Sequence, residues 1–99
     1  MNRAYSFSAP LWEHGREASW VFLTVPPEES DEIAELSLGR TGFGSVRVVV
    51  RIGSTRWSTS LFPSKELAAY VLPVKRAVRT AESLEPGDVA SVSLEVRPS

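Results

Sequence analysis

The charged side chains of this chain are unevenly placed, and its cations cluster. Arg47, Arg51, Arg56, Lys65, Lys75, Arg76 and Arg79 all fall within residues 40–79, where eight bases, Arg40 included, face Glu66 alone. That block carries +7, between a stretch of −5 over residues 1–39 and one of −3 over residues 80–99, and the chain as a whole carries −1. Arginine offers a planar fork of donors that matches phosphate or carboxylate, and lysine offers a compact point charge. Anion binding is therefore the chemistry these residue types suit. Two groups are separable. Arg47, Arg51 and Arg56, with Ser58 and Ser60, share one outer strand face if Gly53-Ser54 forms a two-residue hairpin turn. Two arginines opposite each other, Arg51 and Arg56, repel mildly unless water, an acid or an anion bridges them. Lys65, Lys75, Arg76 and Arg79 occupy a loop and helix over residues 62–79 and would line one end of the fold beside Tyr70. The competing reading of both groups is a solvated surface that folding interleaves with acids such as Glu32 and Glu35.

Other chemistry finds less support. His14 has Glu13 beside it and many serines elsewhere, but no serine lies in a G-x-S-x-G nucleophile elbow. The acids Glu28, Glu29, Asp31 and Glu32 sit where a helix begins, and the helix dipole accounts for them there. With no cysteine and a single histidine, a disulfide framework and a thiolate metal site are both excluded. No metal or cofactor is expected. The glycine-rich stretch over residues 40–44 lacks the Lys-Ser/Thr ending of a phosphate-binding P-loop.

These residues need a scaffold, and its elements read from periodicity. Tyr5, Phe7, Ala9 and Leu11 alternate with Ser6, Ser8, Pro10 and Trp12, which is a strand with Pro10 at an edge or a bulge. Residues 20–25, WVFLTV, are apolar on both faces and predict a strand covered on both sides. Pro26-Pro27 ends it, and residues 28–38 predict a helix with Ile33 and Leu36 on its apolar stripe and Gly39 as C-cap. Val46, Val48, Val50 and Ile52 share one strand face, and Thr55, Trp57, Thr59 and Leu61 join it across the hairpin. Residues 67–72 predict a further strand. Pro73 is placed at the first position of a helix that turns Val74, Val78, Ala77 and Ala81 toward the core. Glu85-Pro86-Gly87-Asp88 is a turn, and Ala90, Val92, Leu94 and Val96 alternate inward on a last strand. Alternation leaves Trp12 and Phe62 on outer faces, where they pack under a helix or mark a partner surface.

The order β-β-α-β-β-β-α-β predicts a mainly β fold: one domain over residues 1–99, a small closed meander barrel of about six strands with two short helices. Side chains fill a barrel this small, so ligands must use a mouth or the outer face. The run WSTSLFPSKELAAYVLPVKRAVRTAESLEPGDVASVSLEV resembles the bacterial "domain of unknown function 1905" family. Its most specific parts are residues 59–63 (TSLFP), residues 72–79 (LPVKRAVR) and the Gly87-Asp88 turn. The resemblance implies a small closed β-barrel and carries no activity or catalytic motif. No signal-peptide core and no apolar run near ~20 residues is present, which predicts a soluble, cytoplasmic protein without a membrane partner. The functional expectation is a non-enzymatic binding module for a small anionic ligand or a protein partner. Nucleic-acid binding through residues 40–79 is the alternative, and an isoelectric point near 5.8 argues against it.

Overall fold

The computed structural model describes residues 4–15, 20–36 and 44–97. Within them the chain runs β1 (Ala4–Glu13), β2 (Val21–Thr24), α1 (Pro27–Leu36), β3 (Val46–Ile52), β4 (Thr55–Ser64), β5 (Ala69–Pro73), α2 (Arg76–Ala81) and β6 (Val89–Val96). The strands close an antiparallel barrel in the order β1-β2-β5-β4-β3-β6. Consecutive strands are neighbours at β1-β2 and along β3-β4-β5. The links that carry α1 and α2 take the chain from β2 to β3 and from β5 to β6. The alternation read from the sequence is the alternation of burial. Val46, Val48, Val50 and Ile52 face inward from β3, and Ala90, Val92, Leu94 and Val96 from β6. The Gly53-Ser54 hairpin has the expected register, Ile52 opposite Thr55 and Arg51 opposite Arg56, with Gly53 at φ +59.

β1, like β4, joins the two halves of the barrel. Ala4 to Pro10 pair with β6, and Leu11 to Glu13 pair with β2. Pro10, which has no N–H, stands at the handover. The 85–88 turn docks there: the Leu11 N–H donates to the Asp88 carbonyl at 2.9 Å, and the Gly87 N–H donates to the Leu11 carbonyl at 2.7 Å. The Asp88 carboxylate closes the turn by accepting from the Glu85 N–H at 2.8 Å.

Three expectations are corrected. Residues 65–68 form the β4–β5 turn, so Leu67 and Ala68, expected in a strand, lie in the turn instead. The Leu67 N–H donates to Ser64 Oγ, Ala68 takes φ +51, and Leu67 is left 46% exposed. β4 runs on to Ser64, so the chain reversal consumes the residues that alternation assigns to β5. Pro73 is the last residue of β5, opposite Phe22, and not the first of a helix. The Val74 N–H donates to the Val21 carbonyl at 2.9 Å, so the β2 ladder holds the backbone extended past the proline. α2 therefore begins only at Arg76. At six residues it buries Val78 alone, and Ala77 and Ala81 stay exposed. The outer face of β2 is less covered than expected: Phe22 and Thr24 are half-buried, and adjoining Trp20 is exposed. The proposed Gly39 C-cap, the helix end at residues 37–38 and residues 40–43 of the glycine-rich connector lie outside the described residues.

α1 covers one end of the barrel. Pro27 opens it with its φ already helical, Glu28 and Glu29 occupy its first turn, and Ile33 is fully buried. Ser30, on the same helix, is buried and bonded twice: its hydroxyl donates to the Val25 carbonyl at 3.0 Å and accepts from the Tyr70 N–H at 3.1 Å. Tyr5 has its hydroxyl pushed above its ordinary pKa of 10.0, first by burial and then by the nearby Glu32 charge. The unfolded chain thus loses the Tyr5 proton first as pH rises, and stability is lost between pH 10 and the raised native value. Urea melts from pH 8 upward should show this loss in the parent and a shallower one in Tyr5→Phe. Parallel curves would remove Tyr5 as its source. No helix among the described residues is long and apolar enough to cross a membrane.

Candidate anion-binding grooves

The hairpin register puts Arg51 and Arg56 opposite each other on the outer face, with Arg47 opposite Ser60 and Val49 opposite Ser58. β6 lies on the other side of β3 and brings Glu95 opposite Val49 and Ser93 opposite Arg51. An acid thus stands between the rows of Arg47 and Arg51. Glu95 also faces Arg97 at 3.9 Å, and both side chains are more than half exposed. Such a surface pair is worth about 0–1 kcal/mol. Arg47, Arg56 and Arg97 line a groove of about 600 Å³ with Val49, Trp57 and Ser58. Arg51 leans toward the hairpin, where its Nε donates to the Gly53 carbonyl at 3.2 Å. It lines a different depression with Arg56, Ser6, Ser93 and Glu95. The three hairpin arginines therefore do not converge on one point; Arg56 is shared between two grooves.

A further groove forms where two strands separate. β4 and β5 pair only from Phe62 opposite Val71 to Ser64 opposite Ala69. Beyond Phe62, Pro73 has no N–H to continue the ladder, and β4 diverges. The gap is a barrel mouth of about 450 Å³ lined by Trp20, Trp57, Ser58, Thr59, Lys75 and Arg76. Lys75 and Arg76 reach it because the chain is still extended at Val74 and turns helical only after Lys75. Trp57, expected on the inner face, is half-buried and packs against the core while also forming a wall of this mouth. Trp57 and Ser58 line both the mouth and the Arg47–Arg56 groove, so the two adjoin along β4.

The remaining expected residues lie elsewhere. Arg79 is half-buried, and its Nε donates to the Val74 carbonyl at 3.1 Å, which ties it to the segment entering α2. Lys65 is in the β4–β5 turn and lines neither groove. Tyr70 faces the core, so the aromatic wall at the mouth comes from Trp20 and Trp57 instead. At the other end of α2, Glu82 accepts from Thr55 Oγ1 at 2.6 Å and from Ser54 Oγ at 3.4 Å, which anchors α2 to the hairpin.

Sequence reading passed over one further concavity. On the outer face of β1 and β2, Trp12, His14 and Phe22 face Leu67 and Val71 across about 430 Å³, with Glu66 at its side. Alternation had placed Trp12 outside, but nothing local showed that the β4–β5 turn would come to rest against it. Among the described residues no three His, Cys, Asp or Glu side chains gather in a way that could hold a metal ion.

No curated protein matches the sequence. A family model described as a domain of unknown function (DUF1905) matches residues 7–94, which takes in β2 to β5, both helices and most of β1 and β6. With that match over most of its length, the chain belongs to the DUF1905 family.

Proposed function

We propose that this domain is a binding module that takes a small organic anion at the barrel mouth between β4 and the start of α2. The observation that carries the reading is the meeting of two indoles, two cations and two hydroxyls, Trp20, Trp57, Lys75, Arg76, Ser58 and Thr59, in one groove. Its volume falls in the range of small-molecule sites, roughly 300–1,000 Å³. The cations suit a carboxylate or phosphate, the hydroxyls supply neutral donors, and the indoles suit a planar body. Phenyl phosphate and phenylacetate are apt first probes by calorimetry and thermal shift. Replacing Lys75 and Arg76 together with Gln should weaken such binding about tenfold, roughly 1.4 kcal/mol. Arg51→Gln should change it less than twofold, because Arg51 lies outside this groove. Equal affinities for parent and double variant would overturn the reading.

The adjoining Arg47–Arg56–Arg97 groove favours a second reading, a longer polyanion such as single-stranded nucleic acid laid along β4. Counterion release makes that affinity fall steeply with salt, whereas a single anionic group responds weakly. A thymidine oligonucleotide bound tightly at low salt and lost by 200 mM would favour the second reading over the first.

A further inference from the structure

We propose that the aromatic groove on the outer face of β1 and β2 is a separate site, and that it takes an alkylammonium group. The groove is a formed structure. Trp12 Nε1–H donates to Thr24 Oγ1 at 2.9 Å, which holds the indole in place across the β1–β2 pair. The Phe22 ring lies 5.2 Å from Trp12 at an interplanar angle of 35°. His14 meets both rings edge-on, at 6.3 Å and 70° to Trp12 and at 6.1 Å and 83° to Phe22. Leu67 and Val71 form the facing wall, and Leu67 remains 46% exposed.

Charge selects the ligand class. Among the described residues, Glu66 and His14 are the titratable side chains that line this groove, and none of the seven cations of residues 47–79 does so. Glu66 repels an anion. A cation is attracted by the Glu66 carboxylate, and an ammonium that comes within about 6 Å of a ring centroid over its face is attracted by that ring as well. Methyl groups on that ammonium would fill the apolar space along Leu67 and Val71. The basic mouth beyond has the opposite sign. The two are divided by one aromatic pair: Trp20, which lines the mouth, stacks on Phe22 at 6.3 Å and 13°.

Choline and its uncharged carbon isostere, 3,3-dimethyl-1-butanol, test this directly. The readout is the indole N–H resonances of 15N-labelled protein, with that of Trp12 assigned from Trp12→Phe. Choline should shift the Trp12 indole resonance saturably, and the isostere should bind at least tenfold more weakly. Glu66→Gln, an exposed turn substitution that leaves the fold intact, should weaken choline binding three- to tenfold. Equal binding of choline and the isostere would overturn the proposal, since the groove would then be merely apolar. So would equal choline binding by the parent and Glu66→Gln, or the absence of a saturable Trp12 shift up to 50 mM choline. Lys75 and Arg76 do not enter this result, so it stands or falls separately from anion binding at the mouth.

Discussion

Leu23→Ala should cost about 3–5 kcal/mol, near the top of the range for buried leucines. Leu11, Leu23 and Leu72 lie in one lateral row across β1, β2 and β5, by the pairings Leu11 opposite Leu23 and Leu23 opposite Leu72. Leu23 and Leu72 are fully buried and Leu11 is 1% exposed, so the row has no water to admit when its centre is removed. Interiors packed this closely relax only in part, and the residual cavity adds to the lost transfer energy. β2 has four residues, and its pairings with β1 and β5 hold the barrel closed on that side. The effect should appear in urea melts as a lower midpoint with unchanged slope. It should also appear as a fall in Tm of roughly 12–40 °C, at about 4–8 °C per kcal/mol for a domain of this size. A loss below 1 kcal/mol would mean that the β1-β2-β5 side can close over the gap.

Ser30→Ala should cost about 1–3 kcal/mol, which is large for the loss of one oxygen atom. The last β2–β5 register pair is Thr24 opposite Val71, and the Val25 N–H still donates to the Tyr70 carbonyl at 2.9 Å. The returning bond of that pair does not run directly. The Tyr70 N–H donates to Ser30 Oγ, and the Ser30 hydroxyl donates to the Val25 carbonyl. The hydroxyl is thus spliced into the ladder where Pro26-Pro27 bends the chain away into α1. Removing it leaves a buried N–H and a buried carbonyl without a partner, and it unties α1 from the barrel end. Hydrogen exchange at the Tyr70 amide should accelerate well beyond the global destabilisation. If Tyr70 and Val25 instead close up and bond directly, the loss stays under about 0.5 kcal/mol, with Tyr70 protected as before. That result would show the serine to be dispensable.

The alternating runs were legible because burial on one face of a strand leaves a period of two in the chain itself. That is why β3 and most of β4, their inner residues and the Arg51–Arg56 pairing follow from residues 46–62 and a single Gly-Ser turn, and β6 from the alternation of residues 89–96. Element ends were less legible, because each is decided by a partner distant in sequence. Pro73 reads as a helix start by local preference, yet Val21 holds Val74 in the sheet. Leu67 reads as strand, yet the length of β4 leaves it in a turn. Ser30 reads as one polar residue in an acidic helix start, and its role exists only where β2, β5 and α1 meet.

Residue pattern and composition alone specify a closed, mainly β barrel with two helices, the inward-facing residues of its strands, and a surplus of cations over residues 40–79. Pattern and composition are local quantities, and these properties depend on little else. Which cations stand together was decided by tertiary structure. Arg47 and Arg56 share a groove with Arg97, Lys75 and Arg76 meet Trp20 and Trp57 at a mouth, and Lys65 stands apart from both. The mouth exists because β4 and β5 diverge beyond Phe62, and the aromatic groove because the β4–β5 turn settles against Trp12. Both depend on where the barrel closes. That is set by ladder bonds between residues about fifty apart, such as Val74 to Val21, which no local pattern records.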